Sequence, residues 1–291
     1  MNKNIYFIDS INRPFSGGSI IRSKQLCEIF NSFNTDSHTK SYLSINKDFK
    51  NSILVFNKYA IEELTEEEFE NFKRDGNLMI ADPLDGVIKD HILSKFDVIF
   101  ASSILQKEDY EIRFDNKISY VGHHVDLRIE AVKPETNHFN IGYFGELTNA
   151  RYKDELSDTI NFVNVDTSNG RNIEWMSLLK SHTAHYAIRS EKLPNQFKPF
   201  TKGFIAAYLD CPVLLAADDF EARYFLDENY PYFVDSNSVT TVHDAIHSMR
   251  DDFGGSKWEK AIKAMHMVKE LCSVKAVASQ LIQALNTESI N

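Results

Sequence analysis

The 291-residue sequence holds only three cysteines, Cys27, Cys211 and Cys272, and no two of them stand as C-x-x-C. A zinc ribbon and a dithiol redox centre are thereby excluded, and Cys27 and Cys211 read as small buried apolar residues of a reduced interior. Nowhere does an apolar run approach the roughly 18 residues that a membrane-spanning helix requires. The apolar stretch at 5–8 is too short for a signal peptide, so a soluble cytoplasmic protein is expected. Basic residues are also scarce, 32 against 42 acidic ones for a net charge of −10. That balance argues against a general nucleic-acid binder but leaves room for one locally positive cleft. The sequence has no G-x-x-x-x-G-K-[ST] phosphate loop, no G-x-S-x-G nucleophile elbow and no D-x-D triplet. P-loop ATP hydrolysis, α/β-hydrolase chemistry and metal-dependent sugar transfer of the GT-A type all lose their starting point.

What remains is a folded composition, 43% hydrophobic and 25% charged, long enough for two domains. Short apolar runs alternate with amphipathic segments along the whole chain. Strands are predicted at 5–9, 41–45, 53–56, 78–81, 98–101 and 118–121, with helices at 19–33, 61–74, 86–96 and 104–111. Residues 126–140 interrupt the pattern with Arg128, Glu130, Lys133, Pro134 and Glu135, as a linker would. The alternation restarts with strands at 140–144, 160–165, 185–188, 212–216 and 232–234. Helices are predicted at 151–158, 173–181, 202–209, 221–226 and 240–252, then a helical stretch over 257–285 that breaks near Ser273. The expected fold class is α/β, with two Rossmann-like domains facing across a cleft. The expected boundaries are 1–127, 138–270 and a C-terminal helix, 271–291, that returns to the first domain. Ligands in such folds bind outside the carboxyl ends of the strands.

Two conspicuous clusters have plain explanations. Glu62, Glu63, Glu66, Glu67, Glu68 and Glu70 read as the solvated face of a helix whose Ile61, Leu64 and Phe69 point inward. His243 and His247 stand four apart, but the central Glu of a zinc-protease helix is missing, and Val242, Ala245, Ile246 and Met249 make a buried stripe there.

Four features in chain order carry more. Gly17 and Gly18 follow the first strand, with Arg22 on the next helix, where backbone N–H groups can approach an anion or a sugar. His123 and His124 end the last strand of the first half and are expected on a polar rim, because tandem histidines are costly in a core. Gly145 and Glu146 turn out of the first strand of the second half. Arg189, Lys192, Lys198 and Lys202 then place four cations within fourteen residues that hold one acid, Glu191. Lying after a strand and at a helix start, and joined by Thr201, they suit a diphosphate. Asp218, Asp219 and Glu221 follow the next strand and suit sugar or ribose hydroxyls.

These segments resemble bacterial glycosyltransferases of the GT-B fold. Residues 16–22 resemble the glycine-rich first loop and helix of retaining members. Val121-Gly122-His123-His124-Val125-Asp126 is similar to the N-G-V-D type segment, and Ile141-Gly142-Tyr143-Phe144-Gly145 to the I-G-Y-x-G strand. Lys198-Pro199-x-x-Lys202, then Ala206-Ala207 and Cys211-Pro212-Val213, is similar to K-P-x-T-K…A…G-x-P-V. Two glutamates spaced eight apart in some members would fall near Phe197 and Ile205, and neither is acidic here.

The resemblance implies a metal-independent transferase that moves a sugar from a nucleotide-sugar donor to a glycan or lipid-linked acceptor in surface polysaccharide synthesis. No cofactor is implied. Gly145, Glu146, Arg189, Lys198, Thr201, Lys202, Asp219 and Glu221 would hold the donor, and Gly17, Gly18 and Arg22 the acceptor. Asp82, His123 and His124 would be catalytic, with Asp85 a further candidate base should the reaction invert configuration. A lipid-linked acceptor would bring the protein to the inner face of the membrane. The competing expectation is a catalytically inactive sugar-nucleotide-binding protein of the same fold.

Overall fold

The computed structural model describes residues 3–36, 39–46, 48–135, 137–190 and 197–286. Six strands form one sheet: β1 (Ile5–Ile8), β2 (Ser41–Ser44), β3 (Ile53–Asn57), β4 (Leu78–Asp82), β5 (Val98–Ala101) and β6 (Lys117–Tyr120). Their order is β2-β1-β3-β4-β5-β6, and every pairing is parallel. Five strands form the other: β7 (Ile141–Gly145), β8 (Asn161–Asn164), β9 (Ala184–Tyr186), β10 (Val213–Ala216) and β11 (Phe233–Val234). Their order is β11-β10-β9-β7-β8, again parallel throughout.

Parallel strands need crossovers, and helices on both faces leave no solvated side for a strand to show. β3 and β5 accordingly bury every residue. Successive side chains of β3 go to opposite faces: Ile53 and Val55 join one core, Leu54 and Phe56 the other. The first of these cores is completed from the far end of the chain. Val277, Ala278, Leu281, Ala284 and Leu285 of the Val274–Leu285 helix pack among Leu26, Ile29 and Phe30. The preceding Ser256–Leu271 helix instead buries Trp258, Ala261, Met265 and Val268 in the second lobe. Ser273 separates the two by accepting a hydrogen bond from the N–H of Ala276 at 3.2 Å, an N-cap at the break read from the sequence.

Several expected helices differ. The segment after β1 begins at Gly17 and runs through a π-helical stretch, Ile20–Gln25, before Leu26–Phe33. The 61–74 helix divides into Lys58–Glu63 and Glu66–Arg74, because Thr65 and Glu68 form a reciprocal capping box that starts a new helix. Only Asp90–Leu93 of the 86–96 segment is helical, and 151–158 is a run of turns. Most of the acidic run is solvated, but Glu63 accepts from the N–H groups of Ile11 and Asn12 and so ties down the loop after β1. His243 and His247 meet edge-to-face at the surface, and the described residues contain no group of three or more His, Cys, Asp or Glu suited to a metal. All three cysteines are free and buried.

Because Leu281 is fully buried in the first lobe, Leu281→Ala should lower unfolding stability by about 2–5 kcal/mol, the usual cost of an uncollapsed core cavity. Urea denaturation checks this; a loss under about 1 kcal/mol would show that the returning helix is peripheral to that core.

Candidate functional site

The carboxyl edges of the two sheets face one another across a cavity of about 450 Å³. Its lining comes from both lobes, with Gly17, Gly18, Lys58, Asp85, His123 and His124 on one side and Gly145, Glu146, Arg189, Lys198, Thr201 and Lys202 on the other. At one end the lobes are clasped backbone to backbone. Gly17 N–H donates to the Thr167 carbonyl at 2.8 Å, and Gly170 N–H donates to the Phe15 carbonyl at 2.7 Å. Arg128 adds a bond to the Gly170 carbonyl at 2.6 Å. The N–H of Gly17, expected to meet a ligand, is therefore committed to the opposite lobe. Gly18 lies against the Tyr59 ring and Leu84, where an added Cβ would sit 3.3 and 3.6 Å away.

Two of the expected site residues are sealed away from the cavity. Arg22 donates from Nε and Nη2 to the two oxygens of Asp82 at 2.8 and 3.1 Å, and from Nη1 to the Gly122 carbonyl at 3.0 Å. Both side chains have no exposure. The acceptor role for Arg22 and the base role for Asp82 are corrected by that geometry: each saturates the other.

His123 and His124 do line the cavity, yet both are buried rather than on a polar rim. Burial, the nearby Arg22 charge and the neighbouring His124 hold the His123 imidazole well below its ordinary value. Burial and Arg22 bring His124 down to about 3. Both rings are thus neutral. His124 is oriented through Gln25, whose amide nitrogen donates to Asp126 at 2.7 Å, which turns its carbonyl oxygen to His124 Nε2 at 2.9 Å.

The basic segment is where the cavity acquires charge. β9 delivers Arg189, and the Thr201–Tyr208 helix begins with Thr201 and Lys202. Among the described residues neither Arg189 nor Lys202 has a salt bridge; Lys202 Nζ lies 4.9 Å from the centre of the Tyr143 ring. Burial first, then the charges of Arg189 and Lys198, push the Lys202 amine down to about 7. Burial also lowers Arg189. A Cβ at Gly145 would stand 3.1 Å from Lys202 Nζ, so any larger residue there would press the amine to shift by a few tenths of an ångström. Glu146 is held by Thr167 and Asn149. Lys192 and Glu191 lie outside the described residues.

A second cavity of about 290 Å³ shares Arg189, Lys198 and Lys202 with the first and is closed by Asp218, Asp219, Phe220 and Glu221. Asp219 caps the Phe220–Phe225 helix through the N–H of Ala222 at 2.9 Å. Sequence reasoning missed Lys58 and Trp175, which also line the main cavity. Lys58 was within reach of it, since it follows β3 directly at the carboxyl edge where such folds bind ligands.

No protein-family profile and no curated protein sequence matches the chain. Solved structures do. A glycosyltransferase from Rickettsia africae superposes with TM-score 0.65 at 11% identity, covering 97% of each chain. HepE of Anabaena, in complex with UDP, gives 0.63 at 10% identity, over 99% of this chain and 100% of its own. A point mutant of S. aureus TarM, in complex with fondaparinux, α-GlcNAc-glycerol and UDP, gives 0.57 at 13% identity over 81% of this chain and 56% of its own. At such identities the likeness establishes the fold, two facing parallel-sheet lobes of the GT-B type.

Glu221 has a task different from the donor contact expected of it. Its oxygens accept from the Ile104 N–H at 2.9 Å and the Leu105 N–H at 3.4 Å, so a second-lobe carboxylate caps the Ile104–Arg113 helix of the first lobe. Burial raises its pKa to about 7 from 4.5. Between those values the folded chain binds the extra proton, so the group's contribution to stability declines as pH rises towards 7. Glu221→Gln keeps an accepting oxygen without the charge. It should match the wild type in thermal unfolding near pH 4 and exceed it at pH 8; a variant less stable at pH 8 would show that the charged cap is worth more than its desolvation costs.

Proposed function

We propose that this protein is a glycosyltransferase that takes a sugar from a nucleoside-diphosphate donor held by the 138–270 lobe. The acceptor is a glycan or lipid-linked hydroxyl held by the 1–127 lobe. The observation that carries this reading is the pair of unbridged, half-buried cations Arg189 and Lys202, with Lys198, at a helix start between the lobes. Desolvated positive charge without a partner is costly, and a diphosphate supplies the partner. As the glycosidic bond breaks, negative charge grows on the departing diphosphate, where these cations stabilise it without a metal ion. The fold shared with UDP-bound HepE and TarM supports the donor class. Surface polysaccharide synthesis at the inner face of the membrane is the setting that suits a lipid-linked acceptor.

The state of the candidate bases bears on stereochemistry. Asp82 is locked to Arg22, Asp85 is held by two lysines, and both histidines are neutral and weakly basic. A retaining single displacement, which needs no protein base, fits this floor best. The configuration of product formed from a UDP-hexose, read by NMR, decides it: an inverted anomer refutes the retaining route. Transfer or hydrolysis of a labelled UDP-sugar separates an enzyme from a mere binder.

Lys202→Ala should weaken UDP binding by about 1.5–3 kcal/mol, the range for a charge-assisted hydrogen bond, and leave folding stability equal or slightly raised. Bound diphosphate favours the protonated amine, so affinity should fall as pH rises above about 7, and the alanine variant should lose most of that slope. Calorimetry between pH 7 and 9 is the check, and an unchanged slope would place the diphosphate elsewhere. Transfer should persist in excess EDTA; complete loss restored by manganese would overturn the metal-independent mechanism.

A further inference from the structure

Among the described residues, Asp85 is the one acid bound directly to cations of both lobes. Lys58, immediately after β3, donates to Oδ1 at 2.7 Å, and Lys198 of the second lobe donates to Oδ2. A single carboxylate thereby bridges the lobes inside the main cavity. It is carried on a tight loop in which Leu84 adopts φ +52°, a left-handed conformation unfavourable for a bulky side chain. Gln106 holds that loop by donating to the Leu84 carbonyl, and the Gly86 N–H closes the turn onto Pro83 O at 2.8 Å. The Lys58 stem packs on Gly86, where a Cβ would stand 3.3 Å away. Strain and two lysines are thus used to hold one negative charge beside Arg189 and His123, both of which feel its field.

We infer that Asp85 is an internal anion that competes with the donor diphosphate for Lys198 and Lys58, and that Lys58 is the first lobe's own contribution to the diphosphate site. This rests on the reading of the cavity as a diphosphate site. Asp85 takes one hydrogen from each ammonium and leaves others free, but a phosphate carries the same sign of charge and draws on the same two cations. Binding therefore weakens the Asp85–Lys198 contact and shares the bridge between the lobes with the ligand, while Lys58 keeps Asp85 paired. Because two cations share one carboxylate, a diphosphate offers more charge than it displaces.

The test is calorimetric binding of UDP and of inorganic pyrophosphate to the whole protein at fixed salt. Asp85→Asn should bind both more tightly, by roughly tenfold, since a like charge is removed from the site. Lys58→Met should bind both more weakly by a similar factor. Asp166→Asn, which removes a cavity acid that contacts Ser168 and no lysine, should change affinity far less. Equal or weaker binding by folded Asp85→Asn would make Asp85 a positioning residue for Lys198 and overturn the competition. Equal tightening by Asp166→Asn would reduce the effect to the general field of the cavity and overturn it likewise. Should Asp85→Asn fail to fold, Lys58→Met decides alone, and unchanged pyrophosphate affinity refutes the assignment. A wild type that binds neither UDP nor pyrophosphate removes the diphosphate site itself. A wild type that binds both while the variants do not differ from it removes only this inference.

Discussion

The buried contact between Arg22 and Asp82 organises the floor of the cavity. Three segments meet there: the helical stretch after β1, the last residue of β4 and the Gly122 carbonyl beyond β6. With neither side chain exposed, removal of one partner would strand the other's charge in the interior, a loss of about 3–5 kcal/mol. The pair also sets the chemistry around it. Its guanidinium, together with burial, keeps His123 and His124 neutral, and the adjoining Gln25 orients His124. Arg22 and Gln25 both lie in the π-helical stretch Ile20–Gln25, a departure from regular helix that tends to occur where side chains have special placement.

Polar contacts hold the two lobes together around the cavity. The Gly17–Thr167 and Gly170–Phe15 hydrogen bonds, the Asp85 bridge and the Glu221 cap are all electrostatic. Apolar contacts between the lobes among the described residues include Phe197, which reaches the Tyr110 ring at 5.9 Å, and Ile20 against Gly170, while the C-terminal helix returns to the first-lobe core. Interfaces of this composition permit relative domain motion, since polar groups exchange partners with water or ligand at little cost. The chain crosses between lobes after β6 and again at Ser273, where one N-cap separates two helices that belong to different cores. Rotation about those crossings would open the cavity without disturbing either sheet.

Much of the fold was legible because both sheets are parallel. Runs such as 53–56 and 98–101 have no polar alternation, and only strands covered on both faces tolerate that. Helix breaks were less legible: Thr65 and Glu68 form a capping box that a stripe of inward residues conceals. At the site, the clustering of Arg189, Lys198 and Lys202 was readable from charge density after a strand, and all three line the main cavity. What could not be read was pairing over long separations. Arg22 and Asp82 are sixty residues apart in sequence and Ile104 and Glu221 nearly twice that, so nothing local marks either charge as already spent. The histidines were misplaced for a related reason: the cost of burying them is met by neutrality, which burial itself favours and Arg22 from another element reinforces.

Phe197 and Ile205 add a last constraint on how a donor can be held. Both stand near positions where some GT-B enzymes place paired glutamates. Here Phe197 packs into the aromatic cluster of the first lobe, and Ile205 lines the main cavity beside Phe144, Val165 and Trp175. An aliphatic wall cannot accept hydrogen bonds from ribose or hexose hydroxyls, so those hydroxyls must find acceptors elsewhere. Glu146 lines the same cavity, and Asp218 and Asp219 line the neighbouring one that shares the cations. A donor bound by its diphosphate at Arg189 and Lys202 would therefore have carboxylates in the lining of both cavities and an apolar, aromatic surface in the larger one. With no acid of its own, Thr201–Tyr208 packs Phe204, Ala206 and Ala207 against the second-lobe core, so any carboxylate that meets a donor hydroxyl must come from the loops around it.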